Sequence, residues 1–172
     1  MIPPDFAALF LPLSKDAFLK DYFVDPNALL LENDWAESDP FLFTFRDTRA
    51  AIDCLDHATP KDFRIVRTHA ELPAPFIRAQ LAREDWAQRL HENRWSVVSN
   101  SIGKWFQPAT CIEQMAGEFL GRDFWINAYF TPAASQCFDR HADPHHVLIL
   151  QQEGRKHWQV FHPDGQKLID HT

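Results

Sequence analysis

The chain has 172 residues and a formal charge of 17 − 24 = −7. That length holds one domain with a real core, and 45% hydrophobic residues, 15 Phe and 6 Trp among them, exclude a disordered chain. No apolar run reaches the ~18 residues of a membrane helix, the start MIPPDFAALF lacks the basic residues of a signal peptide, and the acidic balance argues against nucleic-acid phosphates as the main partner.

Ser14 is placed to cap a helix over 15–23, with Phe18, Leu19, Tyr22 and Phe23 on one face. A short strand, Ala28–Leu31, follows. Residues 34–46 are aromatic and irregular, and Asp47 opens a second helix that runs to about His57. Phe63–Val66 reads as a strand. After the breaks at Pro73 and Pro75, a helical stretch runs from about Phe76 to His91. Trp95–Ser99 is a strand. Gln107–Leu120 is a helix with Pro108 in its first turn, and it stops before Gly121.

From residue 123 the pattern becomes β. Phe124–Phe130 alternates, with Trp125, Asn127 and Tyr129 on one face. His146–Gln152 (HVLILQQ) reads as a buried strand, Glu153-Gly154 as a turn and Arg155–Phe161 as the return strand of a hairpin. Pro163-Asp164-Gly165 is a further turn, and Lys167–Ile169 opens another strand. The fold class is therefore α+β. A mostly helical part, 1–94, leads into an antiparallel β part, 95–172, within one domain.

Six of the nine His (141, 145, 146, 157, 162 and 171) fall in the last 32 residues, which directs the search for chemistry there. Cysteine does not compete: Cys54, Cys111 and Cys137 form neither a disulfide framework nor a CxxC site, which points to a reducing cytoplasm. In His141-Ala142-Asp143 an imidazole and a carboxylate stand two residues apart. On an extended segment they point the same way and can grip one ion. One nitrogen and one oxygen ligand suit Fe(II) with open positions. On the triplet alone, the simpler reading is a surface His bonded to a nearby Asp.

Three further residues are candidates. In the expected hairpin, Lys156 shares an apolar face with Val147, Ile149 and Trp158. A carboxylate ligand would pair its ammonium there; equally, the side chain reaches water from so near the turn. Asn127 and Tyr129 offer an amide and a phenol on one face, donors for a carboxylate or for backbone groups of a core.

Together, these residues resemble the JmjC-type, cupin-fold oxygenases that use Fe(II) and 2-oxoglutarate, and most closely their ribosomal-oxygenase (cupin-4) branch. The likeness runs from about Trp95 to Phe161: a strand, a helix, an N-x-Y strand, a short loop, HxD, an apolar strand with Gln, then EG-x-K-x-W. Asn127 lies 14 residues before His141 and Lys156 15 after it, spacings that match the family. The resemblance implies an incomplete cupin core and a dioxygenase that hydroxylates a protein side chain. His141 and Asp143 would be the catalytic metal ligands. Lys156 would pair with the distal carboxylate of 2-oxoglutarate, with Asn127 and Tyr129 helping to hold it. The implied partner is a protein or peptide, such as a basic ribosomal protein, which an acidic surface suits. No membrane or direct nucleic-acid contact is implied.

One part of the pattern is missing. The family's second metal-binding His lies well downstream of the hairpin, and this chain is read as truncated before it. His171 is 28 residues past Asp143, too early for that position. A local triad of His141, Asp143 and His145 requires the Pro144 bend to turn His145 inward. A fragment, a site completed by a second chain or a homodimer, and a cupin-like module that only binds all stay open. So does a zinc protein built on 141–146.

Overall fold

Ser96-Val97-Val98-Ser99 carries no charge and two β-branched residues, and it forms the most deeply buried strand among the described residues. The computed structural model describes residues 10, 12–23, 28–31, 62–67 and 70–172. The elements are α1 (Lys15–Phe18), a π-helical turn (Leu19–Phe23), β1 (Phe63–Arg67), β2 (Ala70–Glu71), α2 (Ala74–Leu81), α3 (Trp86–Asn93), β3 (Ser96–Ser99), a 3-10 turn (Ile102–Lys104), α4 (Gln107–Leu120), β4 (Ala128–Phe130), β5 (Trp158–Phe161) and β6 (Lys167–His171). This is the expected mixture of helices and antiparallel strands. The chain divides into two compact units. One combines Met1–Leu42, Gln114–Asp123 and Asp143–Thr172; the other combines Phe43–Glu113 and Phe124–Ala142.

The second unit is built on a four-stranded antiparallel sheet in the order β2-β1-β3-β4. Its register pairs Ile65 with Val97, and Arg64 with Val98. Period-2 alternation then gives each face its own set. Phe63, Ile65 and Val97 pack with Trp86, Leu90 and Trp95 on one side. Val66 and Val98 pack with Cys137 on the other. Both sides are covered, so β3 reads as continuously buried instead of alternating. Ser96 and Ser99 are fully buried with it; Ser96 reaches the Thr131 hydroxyl at 3.3 Å.

Two helices replace the single stretch expected over 76–91. Pro75 sits in the first turn of α2, where its missing N–H costs nothing. Arg83 then forms a two-pronged pair with Asp85 at 2.7 and 3.0 Å, and Asp85 stands at the N-cap of α3. Helix α3 ends on Arg94 at φ 54°, in left-handed geometry, with its N–H on the His91 and Leu90 carbonyls. Helix α4 has the bounds read from the sequence, and Gly121 follows it at φ 65°.

In the first unit, Ser14 caps α1 by accepting the Ala17 N–H at 3.1 Å. Phe18 is buried, and Phe10 packs against it at a tilt and stacks on Phe119. Beyond Phe18 the expected helix widens into the π turn.

Several local expectations fail. Residues 28–31 form no strand, and only Ala128–Phe130 of the run 124–130 is paired. The largest departure is at 146–152, which is neither a strand nor buried: Val147 is 55% exposed, Ile149 51% and Leu150 41%. The hairpin turning at Glu153-Gly154 is thus absent. Strand β5 pairs with β6 instead. The turn between them explains the choice. Asp164 Oδ1 accepts the Gln166 N–H at 2.8 Å, His162 and Gln166 close the backbone at 2.8 Å, and Gly165 takes φ 95°. An Asx bond and a left-handed glycine fix this turn locally. The helix expected over 47–57 and the aromatic stretch 34–46 lie outside the described residues.

Candidate functional site

Asn127 enters the site through a network anchored on α4. The Glu113 carboxylate accepts the Ile126 N–H at 2.7 Å. Ile126 in turn accepts the Ile102 N–H at 2.8 Å, and Asn127 Oδ1 accepts the Ser101 N–H at 2.9 Å. The amide carbonyl of Asn127 is used, which orients its NH2 donors. Ile126, Ala128 and Phe130 pack against Ile102 and Ala109. Trp125 and Tyr129 take the opposite side and are about half exposed, at 51% and 49%. The face division read from the alternation is therefore present, although most of the segment is not a ladder.

Tyr129 pairs with Val98 in the register and lies edge-on to Phe138, ring centroids 6.4 Å apart. His141 lies edge-on to the same ring at 5.9 Å. Its Nδ1 is 2.6 Å from the Asp139 carbonyl oxygen. A carbonyl only accepts, so Nδ1 carries the hydrogen and the lone pair of the neutral ring sits on Nε2. This is the arrangement in which a ligating imidazole is oriented through its other nitrogen. Asn127, Tyr129 and His141 all belong to the second unit.

Asp143 and Lys156 belong to the first unit. Asp143 is exposed. Lys156 is half-buried, and its Nζ stands 4.6 Å from the centre of the Trp158 ring. Lys156 and Trp158 share a side, as expected, but the predicted neighbours Val147 and Ile149 do not pair across from them. The aromatic face attracts the ammonium.

The other histidines have different roles. His146 stacks on Phe23, centroids 4.4 Å apart. His157 Nε2 meets Asp170 Oδ1 at 2.5 Å, and Lys167 binds the other oxygen of the same carboxylate. These hydrogen bonds, that of Lys167 first, hold the Asp170 carboxyl down to about 2. His162 pairs with Asp164 at 2.9 Å. Among the described residues, no three His, Cys, Asp or Glu side chains are gathered into one ligand set. No helix among them is long and apolar enough to cross a membrane. Cys111 and Cys137 are not joined in a disulfide.

Sequence reasoning missed three supports of this region: Glu113, Arg64 and Phe138. Glu113 lies on the face of α4 that includes Ala109 and Ala116, a small-residue face that a close approach favours. Arg64 and Phe138 carry no signal in the sequence, because their contact depends on strand register.

Comparison with known proteins bears on the same region. A JmjC domain model matches residues 104–171. Ribosomal oxygenase 2 of Mus musculus is 24% identical over 172 residues, covering 92% of this chain and 34% of that protein. Ribosomal oxygenase 2 of Rattus norvegicus is 51% identical over 45 residues, covering 26% of this chain and 10% of its own length. A bifunctional lysine-specific demethylase and histidyl-hydroxylase NO66 of Brugia malayi is 40% identical over 54 residues, covering 31% and 7%. The chain spans about a third or less of the length of these relatives. No solved structure matches. Residues 104–171 thus match the JmjC domain model, and over most of its length the chain is similar to a ribosomal oxygenase.

Proposed function

We propose that this chain contributes the HxD half of an Fe(II)- and 2-oxoglutarate-dependent oxygenase that hydroxylates a protein side chain. The carrying observation is the state of His141, inside the JmjC segment: its Nδ1–H is engaged by the Asp139 carbonyl, so Nε2 offers the lone pair. With the Asp143 carboxylate two residues on, the donor set is one nitrogen and one oxygen, which fits Fe(II) with open positions. When bound, the metal and 2-oxoglutarate would supply the hydroxylating chemistry, with O2 as the oxidant. The chain's own residues hold and orient. Lys156 offers a positive charge to the distal carboxylate, and Trp158 keeps that charge on one side. Asn127, fixed through its carbonyl oxygen, offers amide donors, and Tyr129 a phenol.

The relatives named ribosomal oxygenases suggest a ribosomal protein as substrate. The net charge of −7 favours a basic one. We place the reaction in the cytoplasm, and residues 95–172 as the first part of the cupin core.

The test is Fe(II)-dependent conversion of 2-oxoglutarate to succinate in the presence of basic ribosomal peptides. With the barrel completed, wild-type protein is expected to form succinate and His141→Ala to form none. Equal turnover in both overturns the reading. Binding of 2-oxoglutarate without turnover in the wild type replaces it with a cupin-like binding module.

A further inference from the structure

Phe138 stands where three groups meet. The register places Arg64, Val98 and Tyr129 in one row across β1, β3 and β4. Side chains in such a row share a face of the sheet. Cys137, 5% exposed, packs against Val66 and Val98 on that face and fastens the incoming loop to it. The next residue then lies over the row. The Arg64 guanidinium carbon is 5.1 Å from the centre of the Phe138 ring. Tyr129 meets the ring edge-on, and so does His141. The loop is tied further: Ser135 Oγ donates to the Pro132 carbonyl, and Gln136 Nε2 donates to the Phe138 carbonyl at 2.9 Å. Arg64 is itself held at its Nε by Glu71 at 2.9 Å.

His141 is exposed, and its Nδ1–H is held by the Asp139 carbonyl. The edge-on Phe138 ring forms an aromatic wall beside the imidazole. We propose that Phe138, stacked on Arg64, is a positioning residue for His141. It fixes the imidazole plane so that Nδ1–H stays on the Asp139 carbonyl and Nε2 presents the lone pair. The inference rests on His141 being a metal ligand, as proposed above. It adds a chain of contacts, Glu71–Arg64–Phe138–His141, by which the edge of the sheet reaches the ligand. Groups that orient a ligating His typically change metal affinity 10–100-fold, about the effect expected here.

Two measurements separate this inference from the metal assignment. The first is a long-range 1H–15N spectrum of the His141 ring at about pH 8, where an ordinary imidazole is neutral. Wild-type protein should show the Nδ1–H tautomer. Phe138→Leu, which keeps apolar volume against Cys137, should show a mixture, and Phe138→Tyr should restore the single tautomer. The second is calorimetric titration with Co(II). Phe138→Leu and Arg64→Leu should bind about 10-fold more weakly than wild type. Phe138→Tyr should bind like wild type, and His141→Ala should lose the site. Apo-protein melting checks that Phe138→Leu still folds. An unchanged His141 tautomer in Phe138→Leu overturns the positioning role. Undiminished Co(II) binding in His141→Ala overturns the metal assignment instead.

Discussion

Gly103 and Glu113 form a pair whose coupling has a calculable sign. A Cβ added at Gly103 would stand 2.0 Å from Glu113 Oε2 and 2.4 Å from its Cδ. Neither separation is tolerable, so Gly103→Ala must drive the carboxylate away. Its bond to the Ile126 N–H at 2.7 Å then breaks. A hydrogen bond to a charged group contributes about 1.5–3 kcal/mol. Against that stands the lower backbone entropy of alanine in the unfolded chain, about 0.4–1 kcal/mol in favour of the variant. Gly103→Ala is thus expected to destabilise by about 1–2 kcal/mol, a fall in melting temperature of about 2–8 °C at this chain length. Glu113→Ala alone loses the same bond and costs about as much. In that background the clash is gone, and Gly103→Ala should be neutral or slightly stabilising. A double-mutant cycle by urea unfolding measures the difference, with a coupling of about 1–3 kcal/mol. Equal destabilisation by Gly103→Ala in both backgrounds would refute the reasoning.

Asn127→Ala removes the acceptor of the Ser101 N–H and should cost about 1 kcal/mol, whereas Asn127→Asp keeps the acceptor and should cost less; urea unfolding compares them. Because the Asp170 carboxyl is lowered in the folded chain by Lys167 and His157, it stabilises the β5–β6 hairpin above the ordinary carboxylate range, and that contribution disappears as pH falls through about 2. Carboxyl NMR should place its midpoint near that value, and Asp170→Asn should abolish this part of the hairpin's acid response. Ser14→Ala should cost about 0.5–1 kcal/mol locally, read as faster amide exchange at Ala17 and Phe18. Arg94→Gly should stabilise by up to about 1 kcal/mol, since the residue occupies left-handed geometry; a lower melting temperature would show that the Arg94 side chain contributes more than its backbone costs.

Local chemistry was legible where it sufficed. Helix α4 has the bounds that Pro108 and Gly121 announce, and Ser14 caps α1, because capping and turn preferences act within a few residues. Strands β1 and β3 were legible from their adjacent β-branched residues, Ile65-Val66 and Val97-Val98. The candidate residues were legible too, since HxD and the Asn127 and Lys156 spacings are properties of the chain. What failed was pairing. HVLILQQ has the composition of a buried strand, but burial requires a partner, and β5 hydrogen-bonds to β6 through a turn that closes itself. The same limit hid Arg64 and Phe138. A sheet row joins residues 64, 98 and 129, and no period along the sequence connects them.

The sequence by itself therefore determined the fold class, the ends of α4 and the cap of α1, and it singles out the candidate side chains, because each depends on near neighbours. Only the tertiary structure decided which strands pair, which nitrogen of His141 holds its hydrogen, and that Tyr129 and His141 meet at one ring. Those depend on register and on a carbonyl delivered by a folded loop, and a linear pattern encodes neither.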